Sequence, residues 1–261
     1  MTKLAGKTAL IVGEFAPFGA GSAVTGVVSN EWAIALECAR EGAAVMVADK
    51  DPDVADAVAT ALRDEGHRAD AVACDVTDAA QCQAAVAATV ARFGALNLLV
   101  NTVGAVDLKT IDQITAEEFE KALRVNVLGQ FHVMKPAVVA MRAAGSGAIV
   151  NISSLSAIRT GGAGIGYETT KAALLALARN VALSEAGANI RVNSLLPGVL
   201  DSASFRQMVG PDTSSFAERV PVRRLGTPWE FAKAVTFLLS DEASYITAAS
   251  LLLDGGMAWG V

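Results

Sequence analysis

"TALIVGEFAPFGAGSAVTGVVSNEWAIALECAREGAAVMVAD", residues 8–49, decides the fold. It opens on a short apolar run, TALIV at 8–12, and closes on another, AVMVAD at 44–49. Short runs that are apolar almost throughout read as strands covered on both faces. The alanine-rich run that begins near Trp32 reads as a helix. Strand, turn, helix and strand make a βαβ unit. In a nucleotide-binding protein its first turn is a short glycine loop that brings the backbone against phosphate. Here that turn is extended: residues 13–32 carry four glycines and end in Glu31 and Trp32.

The same alternation continues along the chain. Further strands are expected at 70–74 (DAVAC), 96–100 (LNLLV), 148–153 (AIVNIS), 190–196 (IRVNSLL) and 250–253 (SLLL). With the first two they make seven, each separated from the next by helical sequence. This pattern implies an α/β fold of the Rossmann type: a doubly wound, seven-stranded parallel sheet flanked by helices. No repeat, low-complexity tract or linker interrupts it, so residues 1–261 read as a single domain. TAEE at 115–118 and TPWE at 227–230 fit the capping box, the second with Pro228 at the first helical position. KAALLALARNVALSEAG, ending at Gly187, is apolar nearly all round. Such a helix is expected to be buried on two sides, one against its own sheet and one against another subunit.

Composition narrows the function classes. Hydrophobic residues make up 52% and charged residues 18%, which supports a large core. A formal charge of -6 with no cluster of Lys and Arg excludes nucleic acid as the expected partner. No polybasic block and no apolar run of spanning length points to a membrane. Cys38, Cys74 and Cys82 are odd in number and lack C-x-x-C spacing, which predicts a reducing compartment and no structural zinc. MTKLAGK passes at once into the first strand, so a cytoplasmic protein without a signal peptide is expected. His67 lies in a polar turn and His132 on an apolar helix. Nothing else clusters with either, so no metal site is expected.

The chemistry concentrates in YETTK, residues 167–171. Positions i and i+4 share a helix face, so the Tyr167 phenol and the Lys171 ammonium lie side by side. A free tyrosine has a pKa of about 10, and a fixed cation favours its phenolate. The pair is thereby suited to acid–base work near neutrality, although a surface Tyr and Lys one turn apart would show the same spacing. Ser154 ends a strand thirteen positions earlier, at the carboxyl edge where open α/β sheets bind ligands. There its hydroxyl can donate to a carbonyl oxygen that gains charge. Ser153, on the opposite side of the strand, suits a purely structural hydrogen bond.

A serine followed by Y-x-x-x-K, together with VNTVG, RVN, RVNSLLPG and the closing LLLDGG, resembles the classical branch of the short-chain dehydrogenase/reductase superfamily. The likeness runs from about Gly6 to Met257. It implies a catalytic tetrad of Asn126, Ser154, Tyr167 and Lys171. Tyr167 would pass a proton to or from the substrate oxygen, and Lys171 would lower its pKa and hold the nicotinamide ribose. Ser154 would orient the substrate, and Asn126 would anchor a water in the proton relay. Asn101 and Gly104 in NTVG would lie near the adenosine, with Asp75 and Val76 lining the adenine. Leu200 and Ser202 would contact the carboxamide. Asp49 ends the second strand, where a carboxylate accepts from a ribose 2′-hydroxyl and repels a 2′-phosphate. NAD is therefore expected in preference to NADP, with Lys50 softening the repulsion. A simple strand-end cap is the other reading of Asp49.

Relatives carry T-G-x-x-x-G-x-G in the first turn. Gly13 supplies the first glycine here, whereas Ser29 and Glu31 stand at the last two glycine positions. Ser29 or Asn30 can cap the helix that follows. Glu31 suits a first helical turn, yet it would oppose diphosphate if aimed inward, so it is expected to point away. The pocket is expected to survive beneath an unusual lid. A rival register starts the strand at SAVTG, with Gly26 as first glycine.

These readings converge on an NAD-dependent oxidoreductase that interconverts a secondary alcohol and a ketone, with Tyr167 as general acid/base. The resemblance also implies a homo-oligomer, a tetramer or a dimer. A non-redox lyase or isomerase using Ser154 and Tyr167 is the alternative, with a non-catalytic ligand-binding protein third. Residues 199–220 are expected to form the substrate loop, with Phe205, Met208 and Phe216 making it moderately apolar. Leu155 and Arg159 are placed on the opposite wall, Arg159 either meeting an acidic substrate or pairing on the surface.

Overall fold

The computed structural model describes residues 2–15 and 27–260. Seven parallel strands form one sheet: β1 (Thr8–Val12), β2 (Ala44–Asp49), β3 (Ala69–Ala73), β4 (Leu98–Asn101), β5 (Gly147–Ile152), β6 (Ile190–Pro197) and β7 (Ser250–Leu253). Their order is β3-β2-β1-β4-β5-β6-β7. Four strands match the sequence reading at one or both ends, and the remainder shift by one or two residues, as strand ends commonly do. The sheet reverses its direction of growth between β1 and β4, which opens a crevice at their carboxyl ends.

Side chains alternate across the sheet with period two. Ala9 and Ile11 of β1 join one core, while Leu10 and Val12 join the other. The first core lies beneath α1 (Asn30–Arg40), α2 (Pro52–Asp64) and the helix Pro228–Leu239. The second lies beneath α3 (Ala79–Phe93), the helix Gly129–Ala144 and the helix Ile165–Glu185. In chain order these three later helices are α5 (129–144), α6 (165–185) and α9 (228–239), with α4 (Ala116–Leu123), α7 (Ala203–Val209) and α8 (Ser214–Ala217) between them. Both predicted capping boxes form, at Thr115–Glu118 and Thr227–Glu230.

The structure decides between the two registers and moves one helix end. Thr8–Val12 is central in the sheet, paired with β2 and β4, so the first register stands; SAVTG and Gly26 lie outside the described residues, as does the middle of the extended turn. The long helix α6 ends at Glu185, not Gly187: a 3-10 turn follows and Asn189, at φ 59°, takes the left-handed position. Within one chain α6 is buried on a single side. Leu174, Leu175, Ala178 and Ala182 face the core, while Leu183 is 73% exposed. Among the described residues no helix is long and apolar enough to cross a membrane.

Candidate active site

At the carboxyl ends of the strands a cleft of about 320 Å³ is lined by Thr102, Gly104, Ser154, Tyr167, Lys171, Leu200 and Ser202, with Asn30 and Glu31 from α1. Ser154 leaves β5 and caps the short turn Leu155–Ala157, its Oγ accepting from Ser156 N at 3.1 Å. Ser153 is buried and donates its hydroxyl to the Lys171 carbonyl at 2.7 Å. Both serines border the cleft, but the Ser153 hydroxyl is committed to the scaffold.

Tyr167 and Lys171 lie one turn apart on α6, with Lys171 Nζ 5.6 Å from the Tyr167 ring centroid. The ammonium is buried and donates to the Ile152 carbonyl at 2.9 Å. Gly104 makes room for it: a Cβ there would stand 2.9 Å from Nζ. Burial pulls the Lys171 pKa down to about 8. The phenol does not show the lowered pKa expected from its neighbour. Burial pushes Tyr167 above the ordinary tyrosine value, and a hydrogen bond with Ser154 offsets only part of this. The reason is geometric: Nζ lies over the ring and is held by a carbonyl, while desolvation of the phenolate acts in full.

Asn126 sits in a π-turn (Arg124–Leu128) joining α4 to α5 and is fully buried. Its amide grips Ala105 through both N–H (2.7 Å) and C=O (3.0 Å), and donates to Thr170 Oγ1 at 2.8 Å. Thr170 in turn donates to the Tyr167 carbonyl at 2.8 Å. Asn126 therefore ties the segment after β4 to α6. Sequence reasoning missed Thr170, and it also missed Asp107, whose Oδ2 accepts from Tyr167 N at 2.7 Å. No spacing rule links residues 60 positions apart.

A second hollow, about 150 Å³, continues from Gly13 along Asp75, Val76, Val103 and Lys50. Gly13 is tightly enclosed, since a Cβ there would meet Thr102 Oγ1 at 2.8 Å. Ser29 caps α1, accepting from Trp32 N at 3.1 Å, and Asn30 presents an Oδ1 with no partner among the described residues. Asp49 is 3% exposed, with Oδ2 accepting from Phe15 N (2.7 Å) and Oδ1 from Asp51 N (2.8 Å). Its observed contacts are those of a strand-end cap that shapes the turn. Lys50 is paired with Glu14 at 3.2 Å. Asn101 turns inside the sheet, donating to Asn151 Oδ1 at 2.9 Å across β4 and β5.

Glu31 departs from expectation. It lines the cleft that holds Tyr167 and Lys171, and its Cγ stands 3.0 Å from where a Gly13 Cβ would be. Helix α1 begins at Asn30, which leaves the second position of its first turn, Glu31, rotated toward the crevice. On the other wall Ser202 caps α7, accepting from Phe205 N at 3.3 Å, and Leu200 is buried beside it. Residues 199–220 fold into two short helices, α7 and α8, braced by a perpendicular Phe205–Phe216 pair at 5.1 Å and a doubly bonded Arg206–Asp201 pair. Val199, Phe205 and Met208 face the cleft. Leu155 and Arg159 do not line it; the Arg159 guanidinium donates to the Met257 carbonyl.

The family described as Enoyl-(Acyl carrier protein) reductase matches residues 29–258. A short-chain dehydrogenase/reductase structure from Burkholderia xenovorans superposes with a TM-score of 0.89 at 35% identity, covering 99% of this chain and 98% of that one. The chain belongs to the short-chain dehydrogenase/reductase superfamily. It is similar to 2,5-dichloro-2,5-cyclohexadiene-1,4-diol dehydrogenase LinX of Sphingobium indicum, 35% identical over 260 residues and 99% of both chains. It is also similar to a gluconate 5-dehydrogenase from Burkholderia cenocepacia, solved in complex with NADP and tartrate. That structure has a TM-score of 0.88 at 29% identity, covering 100% of this chain and 98% of the other. Like these short-chain dehydrogenases, the chain is an oxidoreductase.

Proposed function

We propose that the protein is a nicotinamide-dependent dehydrogenase that interconverts a secondary alcohol and a ketone, with Tyr167 as the general acid/base. One observation carries the reading: Ser154, Tyr167 and Lys171 converge on a single cleft at the sheet's switch point. The residues present fit a dinucleotide. Asn30 Oδ1 lacks a partner among the described residues, and Gly13 and Gly104 keep both hollows open where side chains would close them. Gly13, Ser29 and Asn30 would take the diphosphate, Asp75 and Val76 the adenine, and Lys171, Leu200 and Ser202 the nicotinamide end. The bound cofactor supplies the hydride acceptor or donor.

In alcohol oxidation Tyr167 takes the hydroxyl proton, and Ser154 donates to the oxygen that becomes a carbonyl. Lys171 contributes charge that favours the phenolate once it is free to approach the phenol oxygen. Asn126 holds the loop and helix that position both. The apolar wall of Val199, Phe205 and Met208 suits a small alcohol with a hydrocarbon body. Two carboxylates, Glu14 and Asp49, outnumber Lys50 around the turn, which favours NAD over the more anionic NADP. The exposed apolar side chains Phe131 and Val139 on α5 and Leu183 on α6 support a homo-oligomer.

Titration of NADH and NADPH by nicotinamide fluorescence tests the cofactor assignment, with tighter binding of NADH expected. Absence of binding for both would defeat the reading. Tyr167→Phe is expected to bind cofactor within a few-fold of wild type and to lower alcohol turnover at least 10²-fold. Turnover that survives the substitution would remove Tyr167 from the role.

A further inference from the structure

Glu31 stands where an anion-binding turn should offer only N–H groups. It lies in the first turn of α1, half-buried, in the same cleft as Tyr167 and Lys171, with its arm against Gly13. A diphosphate drawn to that helix terminus meets a carboxylate at the entrance. We propose that Glu31 couples dinucleotide binding to proton uptake, so that the cofactor seats only when this carboxyl is neutral. The inference rests on the nicotinamide reading above, and its test separates the two.

The surroundings favour a proton on Glu31. Burial is the largest influence and raises its pKa to about 7, above the ordinary carboxylate value. Glu14, beyond β1, and Asp49, at the end of β2, add negative charge and push in the same direction. The Ser29 hydroxyl and the Glu31 amide donate to the carboxylate and oppose this, but burial prevails. Lys50 is engaged by Glu14. Lys171 and Tyr167 of α6 line the same cleft, the lysine held by the Ile152 carbonyl. Segment 16–26 contains no Asp, Glu, Lys, Arg or His, so the turn itself supplies no ionisable counter-charge. Below its pKa the Glu31 carboxyl is neutral and the helix terminus is open to diphosphate. Above it, each dinucleotide bound takes one proton from solvent, which forms the carboxyl O–H.

Isothermal calorimetry with NAD between pH 6.0 and 8.5, on wild type and Glu31→Gln, provides the test. Wild type is expected to weaken roughly thirtyfold over that range. At pH 8, repeating the titration in buffers of different ionisation enthalpy should show close to one proton taken up per NAD. Glu31→Gln should bind about tenfold tighter than wild type at pH 8 and lose most of the pH dependence. Titration of Lys171 is common to both proteins, so their difference isolates Glu31. Adenosine, which has no diphosphate, should bind both proteins alike at every pH. Equal affinities and equal proton uptake in the two proteins would overturn the proposal while leaving the dehydrogenase reading intact. No binding of NAD by either protein at any pH would overturn that reading and this inference together.

Discussion

At the residue scale, two ionisable groups in the cleft carry opposite pH signatures. Glu31 has a native pKa of about 7 against an ordinary value of 4.5. Between those values the folded protein holds a proton that the unfolded chain has lost, so this group's contribution to stability falls as pH rises from 4.5 to 7. Lys171, at about 8 against 10.5, is the reverse: the unfolded chain holds the extra proton, and stability rises with pH from 8 to 10.5. The Glu31 effect is at most about 3 kcal/mol. Cofactor-free Glu31→Gln should therefore gain melting temperature over wild type at pH 7.5 by several degrees, with the gain vanishing near pH 4.5. Scanning calorimetry at the two pH values checks this, and an equal gain at both would mean that the carboxylate is not destabilised by burial. The sequence makes Ser154, Tyr167 and Lys171 legible because their relation is local: one strand end and one helical turn. It points Glu31 the wrong way, because electrostatics alone argues for an outward carboxylate whereas the helix start at Asn30 decides the face.

At the element scale, helix α6 is held at its start by another part of the chain. Its N-cap is Gly164, at φ 102°, which has no side chain to offer. The Lys109 carbonyl accepts from Gly164 N and Ile165 N at 3.0 and 3.1 Å, and Asp107 takes Tyr167 N. The loop after β4 thus supplies the cap that the helix lacks, and its carboxylate suits the positive end of the helix dipole. Gly166 lets it approach closely: a Cβ there would stand 2.7 Å from Asp107 Oδ2, so the carboxylate would have to shift. Asp107→Ala should cost about 1–2 kcal/mol of stability and lower kcat more than it raises KM, because it frees the segment that aims Tyr167. Asp107→Asn keeps an acceptor oxygen and should recover most of the kcat. Steady-state kinetics of the two variants decide the point: an Asn variant as impaired as the Ala variant would show that the backbone hydrogen bond is not what positions the tyrosine. The capping boxes at Thr115 and Thr227 were readable because cap and partner lie three residues apart. Asp107 was not, because its partner lies on a different element.

At the scale of the whole molecule, the alternation of short apolar runs with helices is enough to imply the doubly wound sheet, since parallel strands need crossovers and crossovers are right-handed. What such a pattern leaves open is which apolar helix faces the single chain covers. Helix α6 reads as apolar all round, yet one chain buries only the stripe containing Leu174, Ala178 and Ala182. Leu183 remains 73% exposed, and on neighbouring α5 Val139 is 62% and Phe131 40% exposed. A second hydrophobic face of this kind gains by meeting its own copy, because a two-fold contact repeats each buried side chain. Wild type is accordingly expected to elute at a multiple of its 26.8 kDa chain mass. A Val139→Glu, Leu183→Glu double variant should elute at the single-chain mass and melt at a lower temperature, since its charges replace apolar contacts without touching either core. Light scattering coupled to size exclusion reads the outcome directly: a wild-type protein that runs as a monomer would show that these faces stay in water and that α6 is simply richer in leucine and alanine than its packing requires.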